Sequence, residues 1–277
     1  MGEDALEPRP FELSAGAWAI AGEELGEGRP AIMVHGLSAT RNQVIHGSRA
    51  LPRAGHRVAL YDARGHGSSD PASDGEGYGY EELAADLEAV IADRFGDEPV
   101  LAAGDSMGAH TIATLALRAP GRFGGLVFIR PASIGMPPPE EVLADWDELA
   151  DGMELGGVDG FMEVYERRDH DPDFRRAIMA FTRRRLKEHR HPEAVARALR
   201  EVPRSIPFDG LAELEHLDVP ALVVASRDDA DPGHPYEVGE AWARSLPQGR
   251  LISEEEGEPP LAWRGGKLSR AIASFAS

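Results

Sequence analysis

A chain of 277 residues with 42% hydrophobic content can bury a sizeable core, as one large α/β domain or two small ones. Its formal net charge of −19 speaks against nucleic acid and anionic membrane as partners, because neutralising phosphates takes a basic surface. Without cysteine there is no disulfide framework, thiolate nucleophile or cysteine zinc site. The opening MGEDALEPRPFEL lacks the basic, then apolar, pattern of a signal peptide, and no run approaches the roughly 20 apolar residues of a membrane span. A cytoplasmic protein with a small-molecule substrate is the expectation.

Near the start, FELSAGAWAIAGEEL (11–25) reads as an antiparallel hairpin. Near-continuous apolar runs follow at AIMVHG (31–36), RVALYD (57–62), VLAAGDS (100–106), GLVFIRP (125–131) and ALVVAS (221–226), as expected of strands buried on both faces. Helices are predicted between and after them. In 80–95, Leu83, Leu87, Val90 and Ile91 share one helical face, and 236–246 and 267–275 behave similarly. GRLISEE (249–255) is a last short strand. Strand and helix in alternation predict an α/β fold: a mostly parallel sheet covered on both faces.

The alternation breaks once. Residues 131–207 hold only helical stretches such as FRRAIMAFTRRRLKEH, between the proline-rich RPASIGMPPP and VPRSIPFDG. We read 1–130 with 208–277 as the core and 131–207 as a helical cap. Within it, 137–166 carries 10 acidic and no basic residues, whereas 167–204 carries 12 Lys and Arg against 6 Asp and Glu. Helices of opposite charge are expected to face each other. Should the basic cluster 183–187 line a pocket instead, an anionic substrate becomes the better reading.

Gly104-Asp105-Ser106-Met107-Gly108 matches G-x-S-x-G directly after an apolar strand and directly before a helix, AHTIATLALRAP. A sharp strand-to-helix turn exposes Ser106 Oγ above the sheet edge, and glycines on both sides let it close. The helix then points the Met107 N–H at a developing oxyanion. Two more motifs accompany it: His35-Gly36 after one strand, and LYDARGHGSSD (60–70) after the next. Together with the helical insertion before the acid strand, these resemble the α/β-hydrolase superfamily over nearly the whole chain, from Trp18 onward. The resemblance implies an eight-stranded sheet, a cap, acyl transfer on an ester, amide or thioester, and the Leu37 N–H as second oxyanion donor. It implies no particular substrate. No cofactor and no metal are expected.

The superfamily's acid follows the next-to-last strand, where ALVVASRDDADPGHP offers Asp228, Asp229 and Asp231; we favour Asp228, with the others as alternatives. Its histidine follows the last strand, usually as Gly-His, and here the residue after Gly257 is Glu258. No histidine occurs beyond His234. A serine hydroxyl needs an adjacent base. His234, in the acid loop, can serve if that loop folds back. Glu258 can serve if a neighbouring carboxylate and desolvation raise its pKa; a solvated acidic turn is its other reading. His110, four residues after Ser106, should point into the packing beneath the turn, and His35 and His66 are expected to hydrogen-bond loops. His35 and Arg130 are candidate substrate contacts at the sheet edge, with an Arg130–Asp105 pair as the structural alternative. Trp146, Met153, Phe161, Met162 and Tyr165 suit an apolar pocket or simple helix packing. A serine esterase with an atypical or absent base is expected; a non-hydrolytic protein that binds a small molecule in the same pocket or catalyses another reaction there is the alternative.

Overall fold

A computed structural model describes residues 6–15, 18–73, 75–168, 172, 174–227, 231, 233–256 and 258–276. The chain runs β1 (Arg9–Ala15), β2 (Trp18–Leu25), β3 (Arg29–Val34), α1 (Ala50–Arg53), β4 (His56–Tyr61), α2 (Tyr80–Phe95), β5 (Val100–Asp105), α3 (Met107–Arg118) and β6 (Phe123–Ile129). Next come α4 (Glu140–Tyr165), α5 (Arg175–Leu186) and α6 (Pro192–Glu201), and then β7 (Ala221–Val224), α7 (Tyr236–Ser245), β8 (Gly249–Ile252) and α8 (Gly265–Phe275). One eight-stranded sheet has the order β1-β2-β4-β3-β5-β6-β7-β8. β1 and β2 form the expected antiparallel hairpin and β2 pairs antiparallel with β4; all further pairs are parallel.

Period-two alternation divides the central strands between two cores. Ile32 and Val34 of β3 join the cluster containing Leu83, Ile112 and Trp242, under α2, α3 and α7. Ala31 and Met33 join Leu51, Leu268 and Ile272, under α1 and α8. The chain passes from β3 outward to β4 and then back across to β5. The crevice beyond the carboxyl ends of β3 and β5 is therefore the place where open α/β sheets accept ligands. The predicted strands ran one to three residues further at this edge, into the loops that carry His35, Asp62, Ser106, Arg130, Ser226 and Glu254.

The insertion between β6 and β7 is helical, and among the described residues it contains no strand. It has its own core of Leu149, Met153, Phe161, Met162, Leu186, Val195 and Leu199. The acidic and basic blocks do meet: Arg200 pairs with Asp147, Asp151 and Glu154, Arg204 with Asp147, and Arg183 with Asp159. These pairs are exposed, so they align the helices more than they stabilise them. The insertion docks on the sheet's carboxyl edge. Leu37 packs against both the core and the insertion. Glu188 accepts from Thr40 Oγ1 at 2.7 Å, Arg190 N–H donates to Gly67 O at 2.9 Å, and Gly67 N–H donates to His189 Nδ1 at 2.8 Å. Rings of His35 and His66 lie 5.2 Å apart, and those of His66 and His189 5.6 Å apart.

Beneath this seam, the Arg64 guanidinium forks onto the Asp86 carboxylate at 2.6 and 2.7 Å, each residue only 3% exposed, and lies 4.6 Å over the Trp18 ring. A buried bidentate pair tolerates loss of neither partner, because the survivor is an uncompensated charge. Asp86→Ala should cost about 3–5 kcal/mol, read as a shifted denaturation midpoint; a shift under about 1 kcal/mol would show the pair to be expendable. A second expectation concerns acid. Burial lowers the pKa of His35 to about 4, of His66 to about 3 and of His189 to about 4. Between an ordinary imidazole pKa of about 6.5 and those values the unfolded chain binds protons that the folded chain refuses. Stability is thus fully present above about pH 6.5 and falls as pH drops toward about 4, by up to about 1.4 kcal/mol per pH unit for each imidazole. Denaturant midpoints at pH 7 and pH 5 check this; equal midpoints would refute it.

Candidate active site

The turn between β5 and α3 carries Ser106 at φ 51° and ψ −111°, a left-handed backbone that a non-glycine residue adopts only when its surroundings impose it. Close packing imposes it here. A Cβ on Gly108 would sit 2.1 Å from Val34 O of β3, and one on Gly104 would sit 2.3 Å from the Gly108 carbonyl carbon. Only glycines allow α3 to start this tightly against β3 and β5. Met107 opens α3, so its N–H is among the amides that have no partner within the helix. Leu37 lies in the loop just beyond β3, and a Cβ on the preceding Gly36 would be 3.5 Å from Ser106 Cβ.

Ser106 Oγ lies 2.8 Å from His234 Nε2. His234 Nδ1 lies 2.9 Å from both carboxylate oxygens of Asp231. A carboxylate can only accept, so Nδ1 carries the imidazole proton and Nε2 is left to accept from the serine hydroxyl. Asp231 also takes Arg130 Nη1 at 2.7 Å, and Arg130 takes Asp105 through Nε at 3.1 Å and Nη2 at 2.8 Å. Burial alone would raise the Asp231 pKa, but His234 and Arg130 outweigh it and hold the carboxyl well below the usual carboxylate range. The hydroxyl, imidazole and carboxylate thus form one hydrogen-bonded chain whose far end stays ionised.

Both the imidazole and the carboxylate belong to the loop after β7. His234 N–H donates to Asp231 O at 3.1 Å, closing a four-residue turn with Pro232-Gly233 at its centre in the sequence. The favoured acid Asp228 and its alternative Asp229 lie outside the described residues, as does His170. The structure gives the imidazole a different carboxylate, that of Asp231. Glu258 differs from its expected role as base. It is exposed and bound to Lys267 Nζ at 2.8 Å and Arg264 Nη1 at 3.1 Å, and the Lys267 hydrogen bond lowers its pKa, the reverse of what a base needs. His35 differs from its expected role as a substrate contact, because it is 1% exposed with both ring nitrogens on backbone: Nδ1 to Gly36 O at 2.8 Å and Nε2 from Ala63 N–H at 2.9 Å. Arg130 likewise spends Nε, Nη1 and Nη2 on protein carboxylates rather than on a ligand. His110 is buried beneath the turn, against Tyr80 Oη at 3.1 Å.

One residue escaped the sequence reading. Glu254, after β8, is 8% exposed and accepts from Ser226 Oγ at 3.2 Å, Leu261 N–H at 3.1 Å and Arg227 N–H. It ties the loop after β8 to the loop that carries Asp231 and His234. Its signal was hidden in the run Glu254-Glu255-Glu256, which reads as a solvated turn.

Of the apolar residues expected to line a pocket, Met153, Phe161 and Met162 are buried inside the insertion, with Trp146 and Tyr165 packed against them. Two surface grooves, of 540 and 570 Å³, run along α4 and beside α3, and neither is lined by Ser106 or His234. Arg185 of α5 is different. Its Nε is buried without a hydrogen-bond partner among the described residues. Burial lowers its pKa, and the charges of Arg130, Asp105 and Asp231 all act on it. An arginine of the basic cluster thus lies within electrostatic range of Asp105, Arg130 and Asp231. Among the described residues no three His, Asp or Glu side chains are grouped to hold a metal ion, and no helix is long and apolar enough to cross a membrane.

Several known proteins are similar to this chain in sequence or fold. A 2-hydroxy-6-oxononadienedioate/2-hydroxy-6-oxononatrienedioate hydrolase of Pseudomonas putida is 29% identical over 217 residues, 74% of this chain and 73% of that one. A thermophilic esterase from Thermogutta terrifontis superposes with a TM-score of 0.78 at 22% identity, covering 97% of this chain and 98% of that one. The enol-lactonase from Burkholderia xenovorans LB400 gives 0.75 at 20%, covering 96% and 99%. The family profile of the alpha/beta hydrolase fold matches residues 30–260, and the chain, with its mostly parallel eight-stranded sheet and serine-bearing turn, belongs to that family.

Proposed function

We propose that the protein is a serine hydrolase of small carboxylic esters or related acyl compounds, with Asp231 and His234 supplying acid and base from one turn. The observation that carries this is the 2.8 Å approach of His234 Nε2 to Ser106 Oγ with Asp231 on the opposite nitrogen. Ser106 Oγ attacks the acyl carbon as its proton passes to His234 Nε2, and the Asp231 carboxylate stabilises the imidazolium that forms. The carbonyl oxygen becomes an oxyanion and takes the Leu37 and Met107 N–H groups. Collapse breaks the bond to the leaving group, which receives the proton from Nε2. Water then enters, gives a proton to Nε2 and attacks the acyl-serine; the acid departs and the proton returns to Ser106. The helical insertion serves as the cap over this chemistry.

Arg185 narrows the acyl compound. The half-buried Arg185 keeps an Nε without a hydrogen-bond partner among the described residues, which a ligand anion would compensate, so a substrate with a carboxylate some distance from the scissile bond is favoured. The Pseudomonas putida relative is named for a dioate, which supports that choice.

An activated ester assayed across pH tests the chemistry. Ser106→Ala and His234→Ala should each lower kcat by about 10⁴-fold or more, and Glu258→Gln should leave it within about twofold. A fluorophosphonate should label Ser106 stoichiometrically. Full activity in His234→Ala would remove the proposed base, and a Ser106 inert to the probe would favour the non-hydrolytic reading. For the substrate, Arg185→Gln should lower kcat/KM for a carboxylate-bearing ester by about 10- to 100-fold and spare its neutral isostere. Equal losses on both would refute the anion site.

A further inference from the structure

The Leu37 N–H belongs to the same planar peptide as the Gly36 carbonyl, so whatever fixes that oxygen fixes the direction in which the N–H points. Gly36 O accepts from His35 Nδ1 at 2.8 Å and from Ala39 N–H at 3.0 Å. The next residue, Ser38, has φ 57°, a left-handed backbone at a serine. Its peptide groups are gripped from two sides. Ser38 N–H donates to His66 Nε2 at 3.3 Å, and Ser38 O accepts from His189 Nε2 at 3.1 Å. His66 Nδ1 donates in turn to Arg64 O at 3.0 Å, whereas His189 Nδ1 accepts from Gly67 N–H at 2.8 Å. Each ring nitrogen has one role, and all three imidazoles are neutral. His35 and His66 come from the core; His189 comes from the insertion, just beyond α5.

We propose that His189 is a positioning residue for the oxyanion site: docking of the insertion supplies the hydrogen bond that holds Ser38 O, and with it the orientation of the Leu37 N–H. This rests on the reading of Leu37 as oxyanion donor and Ser106 as nucleophile, and it adds that closing the insertion and completing the oxyanion site are one event. Glu188 on Thr40 and Arg190 on Gly67 bring the segment to the loop; of these three insertion residues, His189 is the one hydrogen-bonded to the left-handed residue beside the donor, opposite His66.

Two substitutions separate docking from positioning. The Nε2 of His189→Gln can still donate to Ser38 O, whereas the Oδ1 of His189→Asn can accept only from Gly67 N–H. On an activated ester, His189→Asn should lose about tenfold in kcat with KM within about twofold, and His189→Gln should keep kcat within about threefold. Amide exchange at 37–39, measured without substrate, should be faster in His189→Asn than in His189→Gln or the unsubstituted protein. Equal kcat losses in the two variants, or a loss confined to KM, would overturn the proposal. If Ser106→Ala leaves the rate unchanged, the serine reading has failed instead; the exchange rates then decide the positioning claim, with faster exchange in His189→Asn alone supporting it and equal rates in both variants overturning it.

Discussion

The geometry of the site depends on one buried guanidinium. Arg130 stands at the end of β6 in a left-handed conformation, with its own N–H on Val224 O of β7. It divides its side chain between Asp105, which immediately precedes Ser106, and Asp231, which is one turn away from His234. Three loops from three strands are thereby held to a common cation. Two carboxylates this close would repel, and one would protonate, if nothing lay between them. With Arg130 in place Asp231 stays ionised while it holds an imidazole, and the serine turn and the acid–base turn keep a constant separation.

Glu254 completes the support from the other side. The loop after β8 is where the family resemblance implied a histidine, and that loop provides instead a buried carboxylate that accepts from the backbone and side chain of the loop after β7. Glu258, in the same loop, turns outward to Lys267 of the last helix and to Arg264 just before it. A loop relieved of proton transfer has become a brace for the one that performs it in the proposed reaction. The imidazoles of His35, His66 and His189 act similarly on the opposite bank, where burial keeps them neutral and so able both to donate and to accept.

Local chemistry made much of this legible in the sequence. The glycines around Ser106 announced a strand-to-helix turn because no other residue lets helix and strand approach so closely, and the apolar runs announced a parallel sheet because strands covered on both faces have no polar side. The charge blocks announced helices that face each other. What stayed hidden was decided by partners distant in the chain. Asp228 and Asp231 look alike in RDDADPGH, and the second partner that Asp231 has besides the imidazole, Arg130, lies a hundred residues earlier in the chain. His35 and Arg130 read as ligand contacts because they lie at the right edge of the sheet, yet their polar atoms were already committed to protein. The aromatic and Met residues of α4 follow a helical period that describes the insertion's own interior equally well. The clue that could have found the pair was local after all: acid and imidazole flank Pro-Gly, a dipeptide that favours a tight turn.

That turn makes the acid and base a single mechanical part. In an arrangement with the carboxylate on one loop and the imidazole on another, each relative movement of the loops disturbs both hydrogen bonds at once. Here the pair lies within four consecutive residues, so motion of the loop changes its reach to Ser106 and to Arg130 while the two groups move together. A single insertion or deletion inside Asp231-Pro232-Gly233-His234 would alter the spacing on which both hydrogen bonds of the imidazole depend, so in the proposed reaction the two groups change together.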